Sequence, residues 1–526
     1  MRLPALLLAG LLASTALSPA VAQAPPAEAR IGLQTETSSI DPHFALVGAN
    51  QTVAQHIFDP MLGADANLRP VPGLTSVSNP EPDLWEFTIR EGARFQDGTP
   101  VTAEDILFSL NRMPRVPNSP APFIRMQAAV TEMQVVDART IRLRSRGPDP
   151  AVVLNAMTAY VVPAHVAKDA TTADFNNGRA AIGSGPWRFR GWQPGTGITL
   201  ERNDTYWGDK PDFARASLRT IANDAARLAA MLSGDLDLID SVPPGEIARL
   251  RGNRAVGLSS AASARLIYLA LDQGGDTTPF VTAKDGKPLS QNPLRDARVR
   301  RALSASVNRG AIVDRVLSGA ARPAGQLAVE GQVGFAPDLA APAFDAAEAK
   351  RLLAEAGFPD GFRITLHSPN NRYIEDDKTA QAVAQFWTRI GIETRVEVMP
   401  SNVFFTRAGK REFSAFLIGF GHTTGDSWLG LSQVLRSYDQ ARGYGGLNRG
   451  RYANPRFDAL IDQARVVPDL AQRGTLLQQA QEIAFREDAG IIPLHVPNNT
   501  WAHRAGLSYA AGLDESTLAQ HLKVSR

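Results

Sequence analysis

The feature that most constrains this chain is the way two hydrophobic periods take turns along it. Apolar residues at three- and four-residue spacing mark one face of a helix, and apolar residues at every second position mark one face of a strand. Trp85, Phe87 and Ile89 alternate with polar residues, and Gly98 and Pro100 then break the pattern. Thr102 stands three residues before Asp105, a capping-box spacing, ahead of the helical stripe Ile106, Leu107 and Leu110. Trp187 and Phe189, a Gly/Pro stretch, then Ile198 and Leu200 read as a hairpin. Leu228, Met231 and Leu232 mark a helix stopped by Gly234, with Leu236 and Leu238 following as a strand. Asp296 caps the stripe Val299, Ala302, Leu303 and Val307, and Asn308 caps the next, which holds Ile312, Val313, Val316 and Leu317. Asp345 and Glu348 open a helix through Leu352, Leu353 and Ala356. Ala380, Val383, Ala384 and Trp387 form a stripe closed by Gly391, followed by the strand-like Ile392 to Val398. Near the end, Leu476, Leu477, Ala480 and Ile483 precede a strand over Ile491 to Val496. Helices alternating with strands in this way predict α/β lobes with largely parallel sheets.

Size and composition narrow this further. At roughly 100–200 residues per domain, 526 residues predict about three domains. With 55 Lys+Arg against 53 Asp+Glu and a net charge of +2, the chain has no global pull towards nucleic acid. It has no cysteine. That excludes disulfides, thiolate catalysis, cysteine-ligated zinc, iron–sulfur clusters and a lipid-modified N-terminal cysteine.

The N-terminus has an address. Met1-Arg2 supplies positive charge, Leu3 to Leu17 is apolar, and the small-x-small sites Ala20-Val21-Ala22 and Ala22-Gln23-Ala24 follow. This layout is that of a secretory signal peptide over residues 1–24, cleaved near Ala22 or Ala24. A membrane anchor fits less well, because the run is shorter than the ~20 residues a span needs. Export without a lipid-anchor cysteine predicts a free periplasmic protein.

Linear motifs for chemistry are missing. The chain contains no G-x-S-x-G elbow and no G-x-x-x-x-G-K-[ST] loop. Gly419-Phe420-Gly421 begins like a dinucleotide loop, but the third glycine position holds Thr424. The eight histidines form no H-E-x-x-H. No enzyme activity, metal or cofactor is expected.

Leu84-Trp85-Glu86-Phe87-Thr88-Ile89-Arg90, followed by Phe95-Gln96-Asp97-Gly98-Thr99-Pro100-Val101-Thr102-Ala103-Glu104-Asp105, resembles the signature of solute-binding protein family 5. This is the extracytoplasmic peptide/nickel-binding group of ABC importers. Further segments agree in order: Ser39-Ile40-Asp41-Pro42-His43, Gly183-Ser184-Gly185-Pro186-Trp187 and Arg202-Asn203-Asp204-Thr205-Tyr206-Trp207-Gly208. The later ones are Asp296-Ala297-Arg298-Val299-Arg300-Arg301-Ala302-Leu303, Leu352 to Phe358, Ile390-Gly391-Ile392, Asn454-Pro455 to Ile461, and Ile492-Pro493-Leu494. The resemblance implies a two-lobe clam shell with an additional domain. Lobe I would comprise residues 25–68, 183–279 and 492–526. The additional domain II would be residues 69–182 and lobe III residues 280–491. It also implies a ligand held between the lobes, hinge closure, delivery to a permease in the inner membrane, and a monomer. The alternatives are a secreted α/β hydrolase and a ligand-sensing receptor without an import role.

Peptide-binding members carry a Gly-Trp-x-x-Asp loop whose aspartate holds the ligand ammonium. The matching stretch here is Gly419-Phe420-Gly421-His422-Thr423, continuing Thr424-Gly425-Asp426-Ser427-Trp428. Thr423 stands at the aspartate position, and a neutral hydroxyl does not compensate a buried ammonium. Asp426 either takes over that role or caps a helix beginning near Ser427. Phe44 and Tyr268 are candidate cleft walls. Arg372 and Tyr373 are candidates for meeting an anionic group. Trp428 and Trp501 either stack on a ligand ring or belong to the core, and His422 is the histidine a nickel-type site would use. The ligand class left open is a peptide or peptide-like solute, an opine, an oligosaccharide or similar.

Overall fold

The computed structural model describes residues 27–120, 123 and 130–525. The expected signal peptide, residues 1–24, lies outside them.

Three bodies of core organise the chain. In the first lobe, strands Trp187–Gln193, Gly197–Arg202, Arg215–Thr220, Glu28–Leu33 and Leu238–Ile239 lie side by side in that order. Trp187, Leu200, Ile31, Phe58, Phe175 and Trp501 are buried together in its core. In the second lobe, Arg265–Leu271 pairs with Ala415–Gly421, which pairs in turn with Arg363–Pro369. One face of that sheet is covered by helices Ala297–Ala305, Ala346–Glu355 and Asp376–Arg389, whose Leu303, Leu353 and Trp387 are buried together. The other is covered by Trp428–Val434, Pro455–Val466 and Leu470–Gln481. The additional domain is a four-stranded antiparallel sheet, in the order Thr75–Glu81, Leu84–Ile89, Thr140–Ser145, Val130–Val135, backed by helix Ala103–Arg112.

Local signals place most of these elements. Thr102 and Asp105 form the reciprocal capping box, with the Asp105 carboxylate accepting the Thr102 N–H at 2.9 Å. Asn223, Asp296, Asn308 and Asp345 each accept a backbone N–H at a helix start. Gly234 ends its helix in the left-handed region at φ 85°. The motif residues Tyr206 and Trp207 donate to the buried Asp59 carboxylate at 3.2 and 2.9 Å, and the Arg90 guanidinium lies 3.7 Å above the Trp207 ring. Burial raises the pKa of Asp59, and the Trp207, Ser184 and Tyr206 donors oppose the rise.

Two expectations change. Parallel pairing between strands, among the described residues, is confined to Glu28–Leu33 with its two neighbours and Arg363–Pro369 with two of its own, apart from a single parallel bridge between Val333 and Asp426. The sheets are otherwise antiparallel. Alternating helix and strand signals carry no information on direction when hairpins and long-range returns make the pairs. The strand that follows Ile491 is also longer than its apolar run. Ile492–Arg504 has 13 residues and belongs to both lobes. Its first part pairs with Arg265–Leu271 and its last part with Val256–Ala262. The chain thus passes between the sheets twice, at 262–265 and near Pro497, where the Ser263 N–H donates to the Pro497 carbonyl at 2.9 Å.

Candidate functional site

Strand Ala415–Gly421 builds one wall of the site. Its antiparallel register sets Gly421 opposite Arg265 and Gly419 opposite Ile267. Side chains alternate across a strand, so these four positions share a face while Phe420 and His422 take the other with Leu266 and Tyr268. The two glycines matter for the space they leave. A Cβ on Gly419 would lie 2.9 Å from the Tyr373 ring, and one on Gly421 would lie 2.8 Å from the Arg265 guanidinium. A ring and a cation therefore rest directly on bare backbone.

Tyr373 and Arg372 come from the turn that opens helix Asp376–Arg389. The Asp376 carboxylate accepts the N–H groups of Arg372, Tyr373 and Asp377, each at 3.0 Å, which fixes that turn. Burial pushes Asp376 up to about 6 against those donors. The Tyr373 hydroxyl donates to the Gly419 carbonyl at 3.3 Å. Its ring lies between two guanidiniums, with Arg372 at 5.1 Å and Arg265 at 5.8 Å from the centroid.

Glu515, from the segment after strand Leu507–Tyr509, meets Arg265 directly. Arg265 reaches it with Nη2 at 2.8 Å and Nε at 3.0 Å, and the Ser263 hydroxyl also donates to it. Burial alone would raise Glu515, but the charge and hydrogen bonds of Arg265, with Ser263 and Arg372, hold it down at about 2. Its backbone sits at φ 64°, a strained position for a side-chain-bearing residue. Arg372 has no such partner. Among the described residues no carboxylate pairs with its guanidinium, and burial together with the like charge of Arg265 lowers its pKa. A half-buried, unpaired arginine beside an aromatic ring is a fork ready for a carboxylate. Thr423, just past the strand, is exposed.

Residues 69–442 match the family described as bacterial extracellular solute-binding proteins, family 5 middle. This chain is a family 5 solute-binding protein. It is 30% identical over 493 residues to Protein XP55 of Streptomyces lividans, covering 89% of this chain and 83% of that one. It is 25% identical over 514 residues to the glutathione-binding protein GsiB of Salmonella paratyphi A, covering 95% and 94%. Its fold matches DppA, an ABC transporter-associated periplasmic binding protein from Helicobacter pylori solved with the peptide STSA. That match has a TM-score of 0.80 at 21% identity and covers 95% of this chain and 99% of that one. GsiB and DppA are named as binding proteins, DppA of an ABC transporter, and the family is described as extracellular solute-binding proteins. Among the described residues no helix is long and apolar enough to cross a membrane.

In this family 5 chain the remaining candidates scatter. His422 is buried on the core side, its Nε2 2.9 Å from the Leu327 carbonyl, and burial pulls it down to about 4. Phe420 packs in that same core. Tyr268 lies there too, beside a cavity shared with Phe416, Leu447 and Arg449. The Thr424 hydroxyl donates to the Asp426 carbonyl, and its own carbonyl accepts from Gln332 at 2.8 Å. The Asp426 carboxylate is committed to the Arg473 guanidinium at 2.7 Å and the Trp428 N–H at 2.7 Å, which is the capping alternative. The Trp428 indole donates to the Ile461 carbonyl and the Trp501 indole to Thr517, each inside a lobe core. Phe44 is half-buried, and its carbonyl accepts from Ser119. Arg265 and Glu515 went unnoticed in the sequence. Arg265 heads the apolar run Leu266 to Leu271, a faint signal. Glu515 had none, because its partner lies 250 positions away.

Proposed function

We propose that this protein captures a peptide or peptide-like solute by its carboxylate and delivers it to an ABC permease. The unpaired Arg372 guanidinium beside Tyr373 carries this reading. The solute's backbone would lie along the bare edge at Gly419 and Gly421, next to Thr423. The lobes would meet at the two crossings, 262–265 and 496–498, with domain II between residues 69 and 182, and would close about those crossings. The mature chain would begin after Ala22 or Ala24 and work as a free periplasmic monomer that makes and breaks no bond. Similarity to a glutathione-binding relative and to a peptide complex supports the ligand class.

Native mass spectrometry of the purified protein identifies any copurified solute. Calorimetry with reduced glutathione and with Ser-Thr-Ser-Ala, beside glutathione amidated at both carboxyls and the tetrapeptide C-terminal amide, tests the anchor. Arg372→Gln is expected to weaken the free acids by about 10- to 100-fold, the worth of one charged hydrogen bond at about 1.5–3 kcal/mol, and to leave the amides unchanged. Equal binding of acids and amides by the wild type overturns the assignment of Arg372.

A further inference from the structure

The strand crossings are not the sole links to the second lobe. Asp149 stands before helix Ala151–Ala156 of the additional domain and receives Arg465 Nη2 at 2.7 Å and Nε at 3.2 Å. Arg465 lies in the last turn of helix Pro455–Val466 in the second lobe, and its Nη1 donates to the Tyr444 hydroxyl at 3.3 Å. The pair is largely desolvated, with side chains 25% and 5% exposed. Ala151 packs beside it on the second lobe's core.

A second contact involves the hairpin of Leu62–Ala64 and Pro70–Pro72. Its tip presents the Leu68 carbonyl to the Gly425 N–H at 2.6 Å, and the Leu68 side chain is buried in the second lobe's core. The fit admits no side chain at position 425, because a Cβ there would lie 2.7 Å from the Asn67 carbonyl oxygen. Gly425 belongs to the loop that follows the cleft strand, so this contact bears on the segment carrying Thr423.

We infer that the additional domain, together with the hairpin that leads into it and buries Leu62 in its core, is a closure latch: Asp149–Arg465 and Leu68–Gly425 hold the second lobe shut and set solute affinity without touching the solute. The physical basis is population. A solute that binds the closed form has an apparent dissociation constant equal to the intrinsic one divided by the closed fraction. Removing one partner of a desolvated ion pair leaves the other charge buried and unpaired in the form that contains the contact, so the loss falls on that form. The inference rests on lobe closure as proposed above, and its failure can be told from the failure of that reading.

The chain has no cysteine, so Gln134→Cys on the additional domain and Ala471→Cys on the second lobe take spin labels on an otherwise native background. Electron double resonance on the full mature protein without added solute then reports their separation. Arg465→Gln is expected to raise the open-to-closed ratio about tenfold. Gly425→Ala is expected to act in the same direction, and the swap Asp149→Arg with Arg465→Asp to restore the short distance. Reduced glutathione affinity should fall and recover in step, a pattern that a loss of folding would not produce. If glutathione shortens the distance in the wild type while Arg465→Gln leaves the unliganded distribution unchanged, the latch is wrong and closure stands. If neither glutathione nor any variant moves the distance, both are wrong.

Discussion

Asp426 and Thr423 stand three positions apart in one loop and have opposite environments. Asp426 forms a buried pair with Arg473, with side chains 7% and 1% exposed, whereas Thr423 is exposed. Removing the charge from Asp426 strands a buried guanidinium, which costs about 3–5 kcal/mol. Asp426→Ala is therefore expected to lower the urea midpoint sharply. Thr423→Asp should leave stability within about 0.5 kcal/mol and tighten free-amine peptides in calorimetry, since it places a carboxylate beside the cleft. Glu515 makes a prediction in pH. Its folded pKa of about 2 lies below the ordinary glutamate value of 4.5. The pair with Arg265 thus contributes fully above about pH 4.5, and the contribution fades as pH falls towards 2. The stability gap between wild type and Glu515→Gln, read from urea titrations, should shrink across that window. His422 works in the same direction. Its folded pKa of about 4 lies below the ordinary 6.5, so stability is lost as pH drops between those values.

Elements differ in how much of them local sequence settles. Caps at Thr102, Asp296 and Asp345 reach only two or three residues along the chain, and their helices begin where the residue pattern puts them. Strand Ala415–Gly421 shows the limit. Its apolar run is plain, but which face each residue takes depends on register with Arg265–Leu271. That register separates Gly419 and Gly421, on the face of Tyr373 and Arg265, from Phe420 and His422, on the opposite face. Gly421→Ala is expected to push the Arg265 guanidinium off the strand, because the new Cβ would lie 2.8 Å from Nη2. Overpacking of this kind costs about 1–3 kcal/mol. Thermal unfolding should show that loss together with weaker solute binding. The strand Ile492–Arg504 was legible only in its apolar first half. Its second half, Pro497 to Arg504, is half polar and becomes a strand because Val256–Ala262 and Leu238–Ile239 supply its hydrogen bonds.

As a whole, the molecule is two α/β lobes joined by paired strand crossings, with a third domain touching both. A solute bound to the native state at 100 times its dissociation constant adds about 2.7 kcal/mol. A rise in the thermal midpoint with reduced glutathione or Ser-Thr-Ser-Ala, absent in Arg372→Gln, checks that the cleft is where the solute binds. The class of fold, the family and the individual helices were readable in the chain, because periodicity, caps and ordered motifs are written in neighbouring residues. The expected export segment, residues 1–24, rests on local pattern in the same way. Strand direction, the double role of strand Ile492–Arg504, the Arg265–Glu515 pair and the Asp149–Arg465 contact were not readable. Those pairs lie 250 and 316 positions apart, and no local period records a partner at such separation. Only folding decides which of many arginines keeps a carboxylate, as Arg265 does, and which, like Arg372, has none among the described residues.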